Sequence, residues 1–313
     1  MKVIRDSEPV EYNKLSVVTV GTFDGIHIGH RKIIDVLNNL KKEKNLRSII
    51  VTFEPHPQLV LKNKVREIKI LSTLDEKLEM FEKFGIDIVY IITFTKDFSQ
   101  NIAEQFYVKY LIEKFGFCDI VIGYDHMVGK NREGGFETLK SLSVKYNFNV
   151  HKIEEFKANG YTVSSTSIRN FLLEGNLKEA SLLLNDNYTI TGEVIYGDRL
   201  GVKIGFPTAN IKPVSEFKLI PKNGVYLVSS EISGKLYYGM MNIGYRPTVT
   251  DANVQTLETY FLDFEGNLYG QELKIKFLDY IREEKKFNSI EELKEQINKD
   301  KEFSKKIISN INN

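Results

Sequence analysis

Residues 17–37, VVTVGTFDGIHIGHRKIIDVL, constrain the fold of this chain more than any other stretch. Residues 17–21 read as a buried strand. Gly21, Gly25 and Gly29 follow at four-residue spacing as a tight turn, and Ile33, Ile34 and Leu37 keep the period of a helix. His27 and His30 stand where that helix begins. A helix start presents unpaired N–H groups and the positive end of the dipole, so it holds anions. Imidazoles three residues apart on a first turn can address the same anion. The stretch predicts a nucleotide triphosphate site at the carboxyl end of an early strand.

The rest of the first half repeats the alternation. Strands are expected over 47–53, 88–94, 119–123 and 149–153. Helices are expected over 73–83, with Thr73 and Glu76 as a capping box, over 101–114 and over 139–146. Apolar strands alternating with helices imply a parallel sheet covered on both faces, with ligands beyond the carboxyl ends of its strands. The second half changes character after Asn185-Asp186-Asn187. Short strands are expected over 188–196, 224–232, 235–242, 256–264 and 272–281, divided by glycine and asparagine turns, and then a helix from Ser289. That spacing predicts an antiparallel barrel or sandwich. The expected division is therefore 1–185 and 186–313, an α/β unit followed by a β-barrel with a terminal helix. Net charge is +1 and neither half is basic, which argues against nucleic acid or an anionic membrane as partner. No apolar run approaches a membrane span, MKVIRDSEPVEY does not read as a signal peptide, and one cysteine, Cys118, allows no internal disulfide. A cytoplasmic protein is expected.

Gly21, Phe23, Asp24, Gly25, His27, Gly29 and His30 fill every fixed position of G-x-F-D-G-x-H-x-G-H. The stretch resembles the nucleotidyltransferase superfamily in its FAD synthetase form. A zinc pair at the histidines ranks low, because closed zinc sites need about four ligands. Residues 123–129, GYDHMVG, resemble the segment G-[FY]-D-x-x-F-G that lines the adenine and flavin side of that site, with Gly123, Asp125 and Gly129 kept. Val128 replaces the aromatic, and His126 stands where many members have Phe. Residues 163–169, VSSTSIR, match the superfamily's I-S-S-T-x-I-R element. Ser164, Ser165 and Thr166 could cap a helix and bond phosphate oxygens, and Arg169 adds a permanently charged clamp. Asp24 and Asp125 are expected ligand contacts. His56 is as well suited to ordering its loop as to touching ligand.

In the second half, residues 192–211 carry Gly192, Val194, Gly197, Gly201, Gly205, Pro207, Thr208, Ala209 and Asn210 at the fixed positions of G-x-V-x-x-G-x-x-x-G-x-x-x-G-[FY]-P-T-A-N. This resembles the riboflavin kinase signature, and Asn242 to Thr248, Tyr269-Gly270, Arg282 and Phe287 match that family too. The order of the two resemblances is that of the bacterial bifunctional riboflavin kinase/FAD synthetase family. The resemblance implies ATP and Mg²⁺ in both reactions, Thr208 and Asn210 as oxygen ligands of the metal, and a glycine loop from Gly197 through Gly201 to Gly205 and Pro207 around the ATP phosphates. It places Gly123, Asp125, Arg246 and Arg282 toward flavin. All five histidines precede Lys152, so a kinase in the second half needs another base. Period-two alternation puts Glu258 on one face with Tyr260, Leu262 and Phe264, a position that needs either a buried ion pair with Arg246 or Arg282, or a catalytic role. The family's glutamate base falls there.

Riboflavin, FMN and ATP are the expected small-molecule partners, FMN and FAD the products. The assembly state is left open, a monomer being compatible. Three other readings are weighed. A kinase with a weak adenylyltransferase unit is the main alternative. A flavin- or nucleotide-binding regulator has no use for Glu258 together with Thr208 and Asn210. An adenylyltransferase for another substrate, or a synthetase-like tRNA enzyme, does not account for the second signature.

Overall fold

The computed structural model describes residues 1–61, 68–197, 201, 204–246 and 254–311, with the side chains of Arg246 and Val254 outside that description. Contacts divide the chain into two compact units, Met1–Ser165 and Thr166–Asn313.

The first unit is built on six strands: β1 (Lys2–Arg5), β2 (Ser16–Val20), β3 (Arg47–Glu54), β4 (Ile88–Thr93), β5 (Asp119–Ile122) and β6 (Asn149–Lys152). They form one sheet in the order β1-β4-β3-β2-β5-β6, and every pairing is parallel. Alternate strand residues go to opposite faces. Val17, Ile50, Ile91 and Val121 join Ile33, Ile34, Leu37 and Phe81 in one core. Val18, Val51, Tyr90 and Ile122 join Phe106, Tyr107, Leu111 and Leu139 in the other. Helices Ile28–Lys44 and Leu74–Lys83 supply the first cover, and Phe136–Tyr146 contributes to the second. Both bonds of the Thr73–Glu76 capping box are present. The expected helix over 101–114 is not uniformly α: between Ala103–Gln105 and Glu113–Phe115 the stretch Phe106–Ile112 is wound as a π-helix. Three strands of this unit are additional to the sequence reading. Strand β1 pairs with β4 at the sheet edge, and Lys157–Ala158 and Tyr161–Thr162, which are β7 and β8, form a hairpin turning through Asn159 and Gly160, both at positive φ. Asn-Gly is a strong local signal for such a turn.

In the second unit, helix Ser165–Glu174, from Thr166 onward, and helix Leu177–Leu184 are joined to a closed barrel, with Lys222 N–H donating to Leu172 O at 2.9 Å. Its strands are β9 (Thr189–Ile195), β10 (Ala209–Pro213), β11 (Gly224–Ile232), β12 (Lys235–Arg246), β13 (Val254–Phe261) and β14 (Glu272–Arg282). The ring runs β10-β13-β12-β11-β14-β9, all antiparallel. The sequence reading lacked β10, because residues 207–211 look like turn chemistry after Pro207. Pairing with β9 on one side and β13 on the other makes residues 209–213 a strand. Helix Ile290–Ile311 closes the chain, and its Ile297 and Ile308 pack with Tyr260 and Ile281 on the barrel. Ser289 Oγ accepts from Glu292 N–H at 3.1 Å, and the Glu292 carboxylate accepts from Asn288 N–H at 3.0 Å.

One expectation is corrected. Leu257, Thr259 and Phe261 are the buried residues of β13, whereas Glu258 and Tyr260 are only half-buried. The barrel interior takes the first set. The apolar character of the Tyr260 side comes from helix Ile290–Ile311 covering it, so Glu258 is not a carboxylate sunk in the core.

Candidate active site

In the first unit, three loops leave the carboxyl edge of the sheet: the signature turn after β2, the loop after β3 with His56, and the loop from Gly123 after β5. The signature turn is strained. Phe23 has φ 51° and Ile26 φ 40°, a region that bulky L-residues rarely enter. Several contacts hold it there. The Phe23 ring packs edge-on against Phe81 and lies 5.1 Å from the His30 ring. The Asp24 carboxylate, 2% exposed, accepts from Leu71 N–H at 2.8 Å and Ser72 N–H at 2.9 Å. Asp24 O accepts from Ser165 Oγ at 2.9 Å. Asp24 thus braces the turn from within.

The turn delivers two imidazoles. His27 is the N-cap of helix Ile28–Lys44, its Nδ1 accepting from His30 N–H at 3.3 Å. A neutral His27 bonded in this way carries its proton on Nε2. The His27 and His30 rings stack at 3.7 Å between centroids and 14° between planes. Burial, then the neighbouring His27, then Lys77 hold His30 well below the usual histidine range, and its Nδ1 is buried with no hydrogen-bond partner among the described residues. His30 is therefore uncharged at neutral pH. Gly29 sits against this pair: a Cβ there would lie 3.2 Å from His27 Nδ1 and 3.3 Å from its Cε1. The arrangement offers an anion a helix start and two flat N–H donors.

The Gly123 loop is fastened at its back. His126 lies 3.0 Å from the Tyr107 hydroxyl and bonds the Val20 backbone, and burial lowers its pKa to about 4. Val128 exchanges both backbone bonds with Gly134 and packs on the core. His126 and Val128 thus anchor the loop, leaving Asp125 exposed at its front. His56 is buried, and its Nδ1 accepts from Gln58 N–H at 3.2 Å, ordering its own loop. Ser164 and Ser165 belong to the first unit, and Thr166 and the half-buried Arg169 to the second.

In the barrel, register assembles a second constellation. Glu258 on β13 faces Asn210 on β10 on one side and Asn242 on β12 on the other. Directly paired residues share a face, so one carboxylate lies between two amides. Thr208 Oγ1 donates to Glu258 Oε2 at 3.3 Å. Gly201 carries the approach to it: its carbonyl accepts from Ile204 and Phe206 N–H, and a Cβ there would lie 2.2 Å from Phe206 O and 3.3 Å from Thr208 Oγ1. Gly197 lies against the Asn210 side chain. Hard oxygen donors of this kind suit Mg²⁺, which binds through few protein ligands together with phosphates. Arg282 is engaged elsewhere. Its guanidinium forks onto Asp300 of helix Ile290–Ile311 at 2.8–3.0 Å, with Asp300 4% exposed. Arg282 therefore fastens the terminal helix to β14, and the ion pair with Glu258 is not formed by it. The side chain of Arg246 lies outside the described residues.

Sequence reasoning gave Asn242 only as part of a family match, with no place beside Glu258, and passed over Lys77. The register of β12 against β13 exposes the first. The second stands four residues before buried Phe81, on the covered face of its helix, and that spacing is visible in the sequence.

Two family models match successive parts of the chain. A family model described as FAD synthetase matches residues 10–167, and one described as riboflavin kinase matches residues 184–308. A bifunctional riboflavin kinase/FMN adenylyltransferase of Listeria monocytogenes is 38% identical over 98% of this chain and 96% of its own length. The Bacillus subtilis protein of the same name is 35% identical, covering 99% of both. A solved structure named as a macrolide-efflux protein from Streptococcus pneumoniae superposes with a TM-score of 0.87 at 29% identity, over 97% of this chain and 99% of that one.

Proposed function

The chain belongs to the bifunctional riboflavin kinase/FMN adenylyltransferase family, and we propose that it phosphorylates riboflavin to FMN around Glu258 and adenylylates FMN to FAD around His27 and His30. The observation that carries this reading is that the two units each present a constellation suited to handling phosphate. The efflux name is not carried over: among the described residues no helix is long and apolar enough to cross a membrane. Residues 1–185 are assigned to adenylyl transfer and 186–313 to the kinase. The single cysteine fits a reducing, cytoplasmic setting, and the near-neutral charge of both halves fits small-molecule partners alone.

In the kinase reaction the ribityl 5′-hydroxyl oxygen bonds to the γ-phosphorus of ATP as the bond to the β-phosphate oxygen breaks. ADP leaves, and Glu258 takes the hydroxyl proton. Thr208 and Asn210 would hold Mg²⁺ beside that carboxylate. When bound, the metal neutralises charge on the transferring phosphoryl group. The glycine loop through Gly197, Gly201 and Gly205 lets backbone come close to the phosphates.

In the adenylyl transfer an FMN phosphate oxygen bonds to the α-phosphorus of a second ATP, and pyrophosphate leaves. The nucleophile is already ionised, so no base is needed. The N–H groups of the helix start and the imidazoles of His27 and His30 stabilise the phosphate charge, with Ser164 and Ser165 as hydroxyl donors. Gly123 and Asp125 line the flavin side.

The test is a product analysis. Flavin-free protein given riboflavin, ATP and Mg²⁺ is expected to yield FAD through FMN. FMN as sole product would remove the adenylyl-transfer half, and unchanged riboflavin would remove the kinase half. Gly29→Ala is expected to leave FMN formation intact and to lower FAD formation about tenfold or more, because the added methyl displaces the His27 ring by a few tenths of an ångström. Steady-state rates of each product check it.

A further inference from the structure

Beneath the signature turn lies a buried lysine that the mechanism above does not use. Lys77, on helix Leu74–Lys83, is 3% exposed. Its Nζ donates to Thr22 O at 3.2 Å and lies 3.5 Å from Thr52 Oγ1 on β3. Thr52 Oγ1 itself donates to Thr22 O at 3.4 Å. An ammonium and a hydroxyl thus converge on one carbonyl, that of the residue immediately before strained Phe23. Burial lowers the Lys77 pKa, while the carboxylates of Asp24 and Glu54 act the other way. Burial likewise raises the Glu54 carboxyl, against the pull of Lys77 and Arg5 and with Asp75 adding to the rise.

A lysine so placed is costly to bury and is retained only where its contacts repay the desolvation. A methionine would fill the same volume without that cost. The position therefore calls for a reason beyond packing. We propose, on the reading that this unit transfers adenylyl groups, that Lys77 is a positioning residue: its ammonium locks the signature turn to the sheet through Thr22 and Thr52, and its charge opposes any second positive charge on the stacked His27–His30 pair. The groups that bear on His30 support this. His27 lies at the start of its own helix, Lys77 on the helix Leu74–Lys83, and both disfavour its charged form, while the Asp24 and Glu54 carboxylates favour the charged form of Lys77. His30 then meets phosphate as an uncharged N–H donor, and phosphate binding brings no proton that must later be expelled.

The test uses the full-length protein and three measurements. The first is FAD formation from supplied FMN by unmodified protein, Lys77→Met and Thr52→Val. The second is FMN formation by the same samples. The third is an NMR titration of the His30 ring in histidine-labelled protein, assigned with His30→Gln. Absence of FAD synthesis in the unmodified protein would defeat the underlying reading rather than this one. With that activity present, Lys77→Met is expected to lose about 100-fold in FAD formation, the scale of a displaced reacting geometry, with FMN formation unchanged. The titration midpoint of His30, expected below the ordinary value of about 6.5 in unmodified protein, should rise toward it by up to about one unit. A midpoint unchanged in Lys77→Met would show that the ammonium does not act on His30 and would overturn the proposal. Thr52→Val conserves volume and leaves Lys77 in place, so it reports even if Lys77→Met does not fold; a loss of about threefold or more in FAD formation is expected. Unchanged FAD formation in both variants, or a His30 midpoint at or above about 6.5 in the unmodified protein, overturns the proposal.

Discussion

Glu258→Gln is expected to lower FMN formation by about 10²–10⁴-fold while FAD synthesis from supplied FMN continues at the unmodified rate. The amide keeps the shape of the side chain and can still accept from Thr208 Oγ1, so the ladder between Asn210 and Asn242 stays intact. It cannot take a proton from the ribityl hydroxyl. The size of the loss separates two roles. A carboxylate that only braced Thr208 would cost the kinase about tenfold or less, the worth of one hydrogen bond. A base costs orders of magnitude, and the loss falls on the maximal rate rather than on riboflavin affinity. Parallel rate measurements on the two substrates in one preparation decide it, since the FAD reaction reports that the sample is active.

The second large effect belongs to His30. His30→Ala is expected to lower FAD formation by about 10²–10³-fold, the cost of removing one donor aimed at developing phosphate charge. FMN formation from riboflavin should be untouched. The ring also packs on Phe23 and stacks on His27, so its loss frees both. His30→Asn separates these contributions, because it retains a side-chain N–H and loses the stack. Partial recovery with Asn identifies the donor as the larger part. Equal loss in both variants assigns the effect to the position of Phe23 and His27. The measurement is the rate of pyrophosphate release with FMN and ATP at saturation.

Much of this was legible in the sequence, for reasons that differ by residue. The strand–turn–helix of the signature is a local pattern, so its apolar period and glycines place His27 and His30 at a helix start without any tertiary information. The barrel followed from regular strand spacing. Strand β10 did not, because what makes residues 209–213 a strand is hydrogen bonding to partners on either side rather than their own propensities. The face of Glu258 was misjudged for a related reason. Period two says which residues go together, and only the covering of one side by the terminal helix says which set looks apolar. Lys77 hid behind the polar residues that surround it in the sequence. Burial of a charge is settled by what the helix is laid against, here the turn at Thr22. Asp24 shows the converse: its motif position is evident, while its employment as a brace for Leu71 and Ser72 is tertiary.

The closure of the barrel has a consequence for how this chemistry can vary between relatives. Because Asn210, Glu258 and Asn242 occupy facing places on three adjacent strands of an unbroken ring, their separation is indexed by counting residues. A one-residue slip on β13 would turn Thr259 outward and Glu258 inward, and would break its facing with both Asn210 and Asn242. Drift by small steps is thereby forbidden to the site. A gain or loss of one residue inside β10, β12 or β13 is expected to break this facing, whereas the β11–β14 ladder, away from it, carries two register irregularities of its own.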